Sequence, residues 1–110
     1  MKSISNKTYQ ITVYIPKEQC EVVKEAMFQA GAGQIDTYEA CSWQVLGEGQ
    51  FRPLKGSNPF LGEQDKLEKV MEYKVEMLCF EDKIKVVIEA MKKAHPYEVP
   101  AYGVVGLEEC

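Results

Sequence analysis

The chain has 110 residues, of which 45% are hydrophobic and 27% charged, and its formal net charge is -4. These values predict one globular domain over residues 1–110, with residues 1–7 flexible. The acidic balance argues against non-specific nucleic-acid binding, which needs lysine and arginine to replace phosphate counterions. No run of ~20 apolar residues predicts a membrane span. The N-terminal residues also lack the apolar core of a secretory signal, so we expect a cytoplasmic protein.

The chain opens with a predicted strand and a predicted helix. β-branched and aromatic residues alternate with other types over residues 8–15, which is typical of a strand. Apolar residues at helical spacing then predict a helix over residues 17–30, with Pro16 suited to its first turn. The glycine-rich run Gly31-Ala32-Gly33 is interpreted as the end of that helix.

The middle of the chain has a less regular pattern. A mixed alternation predicts a long strand over residues 35–46, and Gly47-Glu48-Gly49 reads as a turn. Residues 50–52 then suggest a short return strand. Residues 53–62 are dense in turn formers and predict a loop, and loops of this length in compact domains are often functional.

The last third of the chain predicts a strand, a helix and a final strand. Alternation over residues 69–80 predicts a second long strand, the stripe over residues 83–93 a second helix, and residues 102–107 a short final strand. The order β-α-β-β-α-β is typical of an α+β, ferredoxin-like fold. It predicts a four-stranded antiparallel sheet with two helices on one face and an extended loop between the middle strands.

Four cysteines, at positions 20, 41, 79 and 110, are too widely spaced for a paired metal-ligand motif. We interpret Cys20, Cys41 and Cys79 as small buried hydrophobic residues, and Cys110 as part of a frayed terminus. The cysteines therefore predict neither a zinc site nor a disulfide framework.

A stiff segment with the chain's only histidine follows the second helix: Ala94-His95-Pro96-Tyr97-Glu98-Val99-Pro100-Ala101-Tyr102. Because Pro96 disfavours helical dihedrals at His95, the helix should end there. His95 and Glu98 are donor types suited to zinc or copper, and Tyr97 is placed to stack on a ligand. Two alternatives stay open: His95 fixes the corner by hydrogen-bonding a backbone group, and Tyr97 packs its ring inward.

The loop Gly56-Ser57-Asn58-Pro59-Phe60-Leu61-Gly62 is the second candidate for ligand contact. Backbone amides around Gly56, Asn58 and Pro59 are able to cradle an anion. The loop is not a Walker phosphate loop, because it lacks the Gly-Lys-Ser/Thr sequence. The alternative is a rigid turn in which the Asn58 side chain bonds to its own backbone.

Three motifs resemble those of a known family. They are Gly31-Ala32-Gly33 with Tyr38, Cys41 and Ser42; Gly47-x-Gly49-x-Phe51-x-Pro53-x-x-Gly56-x-Asn58-Pro59-x-x-Gly62; and His95-Pro96-Tyr97-Glu98-x-Pro100-Ala101-Tyr102. Together they resemble the YqfO-type middle domain of the Nif-three-like protein family over about residues 8–107. The third motif is also similar to a segment of CutA, the cation-tolerance protein, which shares the ferredoxin-like fold with the PII signalling proteins.

The resemblance implies a CutA/PII-like fold, assembly as a homo-oligomer (a trimer), and a ligand- or metal-sensing role. It does not extend to the flanking halves that hold the dinuclear metal site in the full-length family. No hydrolase or metal function of that site is therefore expected here.

We expect a non-enzymatic module that binds a small ligand or metal ion, with a regulatory role and a divalent metal ion as the possible cofactor. The ligand region is predicted where the segment 95–102 meets the loop 47–62. Two alternatives are a copper or zinc protein of the CutA type and an interaction subunit for another protein. Neither a nucleic acid nor a membrane is expected as a partner.

Overall fold

A computed structural model of the chain describes residues 7–110. The predicted flexibility of residues 1–7 therefore concerns mainly residues 1–6, which lie outside the described residues. The strands are β1 Thr8–Pro16, β2 Trp43–Phe51, β3 Glu68–Phe80 and β4 Tyr102–Gly106. The helices are α1 Cys20–Ala30, between β1 and β2, and α2 Ile84–Ala94, between β3 and β4. Each helix is preceded by a short 3₁₀ turn, Lys17–Gln19 before α1 and Glu81–Lys83 before α2.

The four strands form one sheet in the order β2-β3-β1-β4, and every neighbouring pair is antiparallel. This confirms the predicted α+β, ferredoxin-like architecture. The connection between the paired middle strands, residues 52–67, lies beyond their shared end, where Phe51 opposes Glu68, and it is much longer than the two-residue turn that such a pair requires. Among residues 7–110, no helix combines the length and the apolar character that crossing a membrane requires.

The core lies between the helices and one face of the sheet. Alternate residues of β1 and β3 point into it, and each helix contributes one stripe. The fully or almost fully buried apolar side chains are Ile11, Val13, Ile15, Cys20, Val23, Met27, Ala32, Val75, Met77, Cys79, Val87 and Met91. Burial of each larger aliphatic side chain contributes ~1.5–3 kcal/mol, so the alternation in the two central strands carries much of the fold.

The predicted strand over residues 35–46 is correct only from Trp43 onward. Residues 35–42 form a tight loop in which Ile35 and Tyr38 hydrogen-bond to each other through their backbones. Asp36 and Ala40 have φ angles of 53° and 58°, which interrupt any extended strand. The prediction failed because the pattern in this stretch had no clear apolar face.

The predicted turn at Gly47-Glu48-Gly49 and the short return strand over residues 50–52 were wrong. Residues 43–51 form one continuous strand that pairs with β3 without a break, and Gly47 lies opposite Glu72. Glycine inside a strand often marks the close approach of another group rather than a turn. At Gly49 that group is the Glu72 side chain, whereas a Cβ atom at Gly47 would meet nothing within 4 Å.

All four cysteines are free. Cys20 and Cys79 are buried, and burial raises the pKa of both thiols, that of Cys79 to about 11. They remain protonated and act as small hydrophobic residues, as predicted. Cys41 is only half-buried, because it lies in the loop before β2 rather than inside a strand, and Cys110 is exposed.

Candidate functional site

A cleft opens where the segment after α2 meets the connection between β2 and β3. It has a volume of about 270 Å³ and is called here the Tyr97 cleft. Its apolar walls include Phe51, Pro53, Pro59, Phe60, Leu61 and Val99. Its polar side chains are those of Gln50, Ser57, Glu72, Tyr97 and Glu98. The structure therefore brings together the two segments that the sequence singled out.

His95 lies beside the cleft rather than in its wall, with only 6% of its surface exposed. Helix α2 ends just before it, and the extended backbone of His95 follows from the next residue, Pro96. The ring atom Nε2 is 2.8 Å from the carbonyl oxygen of Tyr14, and Nδ1 accepts a hydrogen bond of 3.1 Å from the backbone N–H of Tyr97. These contacts agree with the alternative in which His95 hydrogen-bonds backbone groups and so fixes the corner between α2 and β4.

The two hydrogen bonds of His95 define its protonation state. The Tyr14 carbonyl only accepts, so Nε2 carries the proton, and Nδ1 keeps its lone pair for the N–H of Tyr97. Burial lowers the pKa of His95, although the hydrogen bond to Tyr14 and the nearby charge of Glu72 act in the opposite direction. His95 is therefore a neutral imidazole at neutral pH.

The predicted metal ligands, His95 and Glu98, do not fit a bound divalent ion in this geometry. Both ring nitrogens of His95 are already engaged, so neither offers a lone pair. One oxygen of Glu98 accepts a hydrogen bond of 3.0 Å from the backbone N–H of Asn58. In the described part of the chain, no group of three or more His, Cys, Asp or Glu side chains could hold a metal ion. Metal binding stays an untested prediction that these contacts do not support.

Tyr97 connects the segment after α2 to the sheet. Its hydroxyl donates a hydrogen bond of 2.8 Å to Oε2 of Glu72 on β3. Burial, with the added effect of this carboxylate, raises the pKa of Tyr97 well above its usual range. A Cβ atom at Gly49 would overlap the Glu72 carboxylate, whereas one at Gly47 would meet nothing within 4 Å. Gly49 thus leaves the space through which Glu72 reaches Tyr97.

Aromatic rings surround Tyr97 in the cleft. The ring centroid of Phe51 is 6.0 Å from that of Tyr97, and the centroid of Phe60 is 6.5 Å from it. The interplanar angles are 58° and 53°, so the rings meet as tilted walls rather than as a flat stack. Phe51 comes from the end of β2 and Phe60 from the connection, so the cleft is built from several elements.

The loop residues predicted to contact a ligand are only partly placed in the cleft. Pro59 lines it, and Asn58 lies at its edge, where its backbone N–H is bound to Glu98. Gly56 is exposed, has a φ of 94° and lies outside the lining. Because the Asn58 N–H already binds a carboxylate of the chain itself, the loop does not present the free amide cradle that an anion requires.

Of the cleft residues that were not singled out from the sequence as ligand contacts, Phe51, Glu72 and Phe60 contribute most to its chemistry. Glu72 falls on the polar side of an alternating strand, which predicted exposure to water. Its contact with Tyr97 spans 25 positions of the chain and is therefore not visible in any local pattern. The only trace of it in the sequence is the pair of glycines in β2, which was interpreted as a turn.

The chain matches no family model, but it has clear relatives. It is 42% identical over 99 residues to the GTP cyclohydrolase 1 type 2 homolog of Halalkalibacterium halodurans, covering 90% of this chain and 27% of that relative. The chain therefore spans about a quarter of the length of the curated relatives it matches.

Solved structures show the same relationship in three dimensions. The Bacillus cereus protein related to NIF3 superposes with a TM-score of 0.83 and 32% identity, covering 99% of this chain and 28% of that one. CutA from Xylella fastidiosa superposes with a TM-score of 0.68 and 19% identity, and the match covers 94% of this chain and 86% of the CutA chain. The second match shows the fold alone. The resemblance to the middle domain of Nif-three-like proteins, with a CutA-type fold, is therefore confirmed for this chain.

Proposed function

We propose that this chain is a non-enzymatic binding module with a regulatory role that takes a small ligand in the Tyr97 cleft. The observation that carries this proposal is the enclosure of one mostly apolar cleft by two turn-rich segments whose contact spans 40 positions of the chain. Ligand sites are typically such concave, apolar spaces with a few convergent polar groups. At about 270 Å³, the cleft is just below the usual range of ~300–1,000 Å³, so it favours a small ligand.

The polar groups of the cleft favour binding over catalysis. General acid–base chemistry and nucleophilic catalysis both need a base beside a group that it activates. The Ser57 hydroxyl instead donates a hydrogen bond of 2.6 Å to the Leu54 carbonyl, and His95 is buried with both nitrogens engaged. The named relatives refer to GTP, but a triphosphate calls for cationic side chains, and neither lysine nor arginine lines the Tyr97 cleft.

Benzyl alcohol is a suitable neutral probe for this proposal. In an NMR titration of the isotope-labelled chain, we expect it to shift the signals of Phe60, Leu61 and Tyr97, with a dissociation constant on the order of 1 mM. Replacing Phe60 with alanine should abolish the shifts, because it removes half-exposed apolar contact area without opening the core. Val22→Ala on α1, an exposed site remote from the cleft, is the matched control and should leave binding unchanged.

Shifts confined to other surfaces, or no shifts at all, would contradict a ligand site in the cleft. Release of product from GTP by the purified chain would contradict the non-enzymatic part of the proposal. Co-purification of a stable second protein seated on the cleft would favour an interaction subunit instead.

We also infer that the chain assembles as a homo-oligomer, with a trimer as the expected state. The sheet face opposite the helices carries Tyr14, Trp43, Val45 and Val105, which are 38%, 59%, 45% and 59% exposed. Large apolar side chains exposed together on one sheet face mark a candidate interaction surface, and the ion pair of Lys74 and Glu76 on β3 lies among them. Light scattering should give three times the chain mass, and Val45→Lys should lower it, whereas Val22→Lys should not. A wild-type monomer would contradict the inference.

A further inference from the structure

Two features of the walls of the Tyr97 cleft determine which class of ligand it suits. The first is the set of three aromatic rings, Phe51, Phe60 and Tyr97, with Tyr97 tilted by more than 50° against each of the others. Rings at different angles present π-faces and edges toward one space. The π-face of an aromatic ring carries partial negative charge and attracts a cation placed within about 6 Å of its centre.

The second feature is the charge of the polar wall. Glu72 and Glu98 both line the cleft, and each makes a hydrogen bond through one oxygen, to the Tyr97 hydroxyl and the Asn58 N–H respectively. Those bonds fix the carboxylates without neutralising them. Within residues 7–110, neither carboxylate takes part in an ion pair, and no lysine or arginine lines the cleft. The cleft is thus an anionic space with apolar and aromatic walls.

We propose that the Tyr97 cleft binds a small organic cation, of the alkylated ammonium class, between its aromatic wall and its two carboxylates. The apolar walls take the alkyl groups, the π-faces and carboxylates take the charge, and the small volume limits the ligand to a few groups around the nitrogen. A phosphate or carboxylate ligand is disfavoured by the same two charges. This inference rests on the proposed function, since it names the ligand class of that cleft.

Choline and its neutral carbon isostere, 3,3-dimethylbutan-1-ol, form a matched pair of probes, because they share shape and differ in charge. In NMR titrations of the full chain, choline should shift the signals of Tyr97 and Phe60 and bind about tenfold more tightly than the isostere. Added sodium chloride should weaken the binding of choline and leave that of the isostere unchanged. Inorganic phosphate should not shift these signals.

Charge-removing variants test which groups provide the attraction. Glu72→Gln and Glu98→Gln keep an oxygen that accepts the observed hydrogen bonds, so the fold should persist while choline binding falls about three- to tenfold. Binding of the isostere should not change. The matched control is Glu48→Gln, an exposed carboxylate on the opposite side of β2, which should leave both affinities unaltered.

A second pair of variants moves a carboxylate without removing it. Gly49→Ala places a methyl group against the Glu72 carboxylate and should weaken choline binding, whereas Gly47→Ala, with open space around the new atom, should not. Equal affinities for choline and the isostere, both in the cleft, would overturn the cation inference and leave the proposed function intact. If benzyl alcohol, choline and the isostere all fail to shift the cleft signals, the proposed function and this inference both fall.

Discussion

Replacing His95 with alanine is expected to lower the free energy of unfolding by about 3 kcal/mol. The substitution leaves the carbonyl of Tyr14 and the N–H of Tyr97 without their partners and opens a cavity at a nearly fully buried position. Urea unfolding at neutral pH measures the effect. Lys93→Ala, an exposed change two residues earlier in the chain, is the control and should stay within ~0.5 kcal/mol of the wild type.

The same histidine should make stability depend on pH. Because burial lowers the pKa of His95 in the folded state, the unfolded chain takes up its proton first as the pH falls. The free energy of unfolding is therefore constant above the unfolded pKa of 6.5 and decreases as the pH drops below it, until the folded-state pKa is reached. Urea titrations between about pH 7 and 5 should show this loss in the wild type and not in His95→Gln.

The pH prediction has a direct spectroscopic check, because His95 is the only histidine of the chain. Its imidazole signals should titrate below pH 6.5 and show the tautomer protonated at Nε2. A titration midpoint at or above that value would contradict the lowered pKa, and the tautomer protonated at Nδ1 would contradict the hydrogen bonds assigned to this residue.

Replacing Gly33 with alanine is expected to cost ~2–4 kcal/mol of folding stability. Gly33 has a φ of 79°, and an added Cβ would lie 2.8 Å from ring atoms of Phe28 and 3.0 Å from the carbonyl oxygen of Cys41. Its own N–H donates to the Leu78 carbonyl and its carbonyl accepts from the Cys41 N–H, both at 2.8 Å. The backbone therefore has little freedom to move away from the clash.

Gly56→Ala is the matched control for this effect. Gly56 also has a positive φ, of 94°, but an added Cβ would meet nothing within 4 Å. Both variants carry the dihedral cost of ~1–2 kcal/mol, so the difference between their urea midpoints measures the contacts alone. Equal losses of folding stability in the two variants would show that the residues around Gly33 move to accommodate the added Cβ. Gly33 would then serve only as part of the helix ending predicted from the sequence.

The fold was predictable because its strongest signals are local. Alternation in β1 and β3 and the stripe of α2 reflect which side chains face the core, and the structure buries Val75, Met77, Val87 and Met91 accordingly. The loop over residues 35–42 was missed because its backbone is fixed by the mutual hydrogen bonds of Ile35 and Tyr38, by the bond from Cys41 to Gly33, and by positive φ angles, which a weak alternation does not reveal.

The position of the cleft was predictable from the sequence, but the side chains that determine its chemistry were not. Prolines and glycines mark both of its turn-rich segments, so their meeting was a reasonable expectation. The contact between Tyr97 and Glu72 depends on which strand position lies beneath the segment after α2, and this is decided by the whole fold. Gly49 shows the same limit, since only the packed structure reveals that its missing side chain makes room for a carboxylate.

The bond between His95 and Tyr14 should also protect the molecule against unwanted association. Strand β4 pairs with β1 only as far as Val13, which would leave the outer rim of β1 open to a foreign chain. There the backbone N–H of Tyr14 donates a hydrogen bond to the Ala101 carbonyl, and the Tyr14 carbonyl accepts one from the His95 imidazole. Pro16, at the end of β1, has no backbone N–H to pair with a foreign strand. The His95 imidazole thus satisfies a backbone group that a longer β4 would otherwise pair with. Replacing His95 should therefore promote aggregation as well as unfolding.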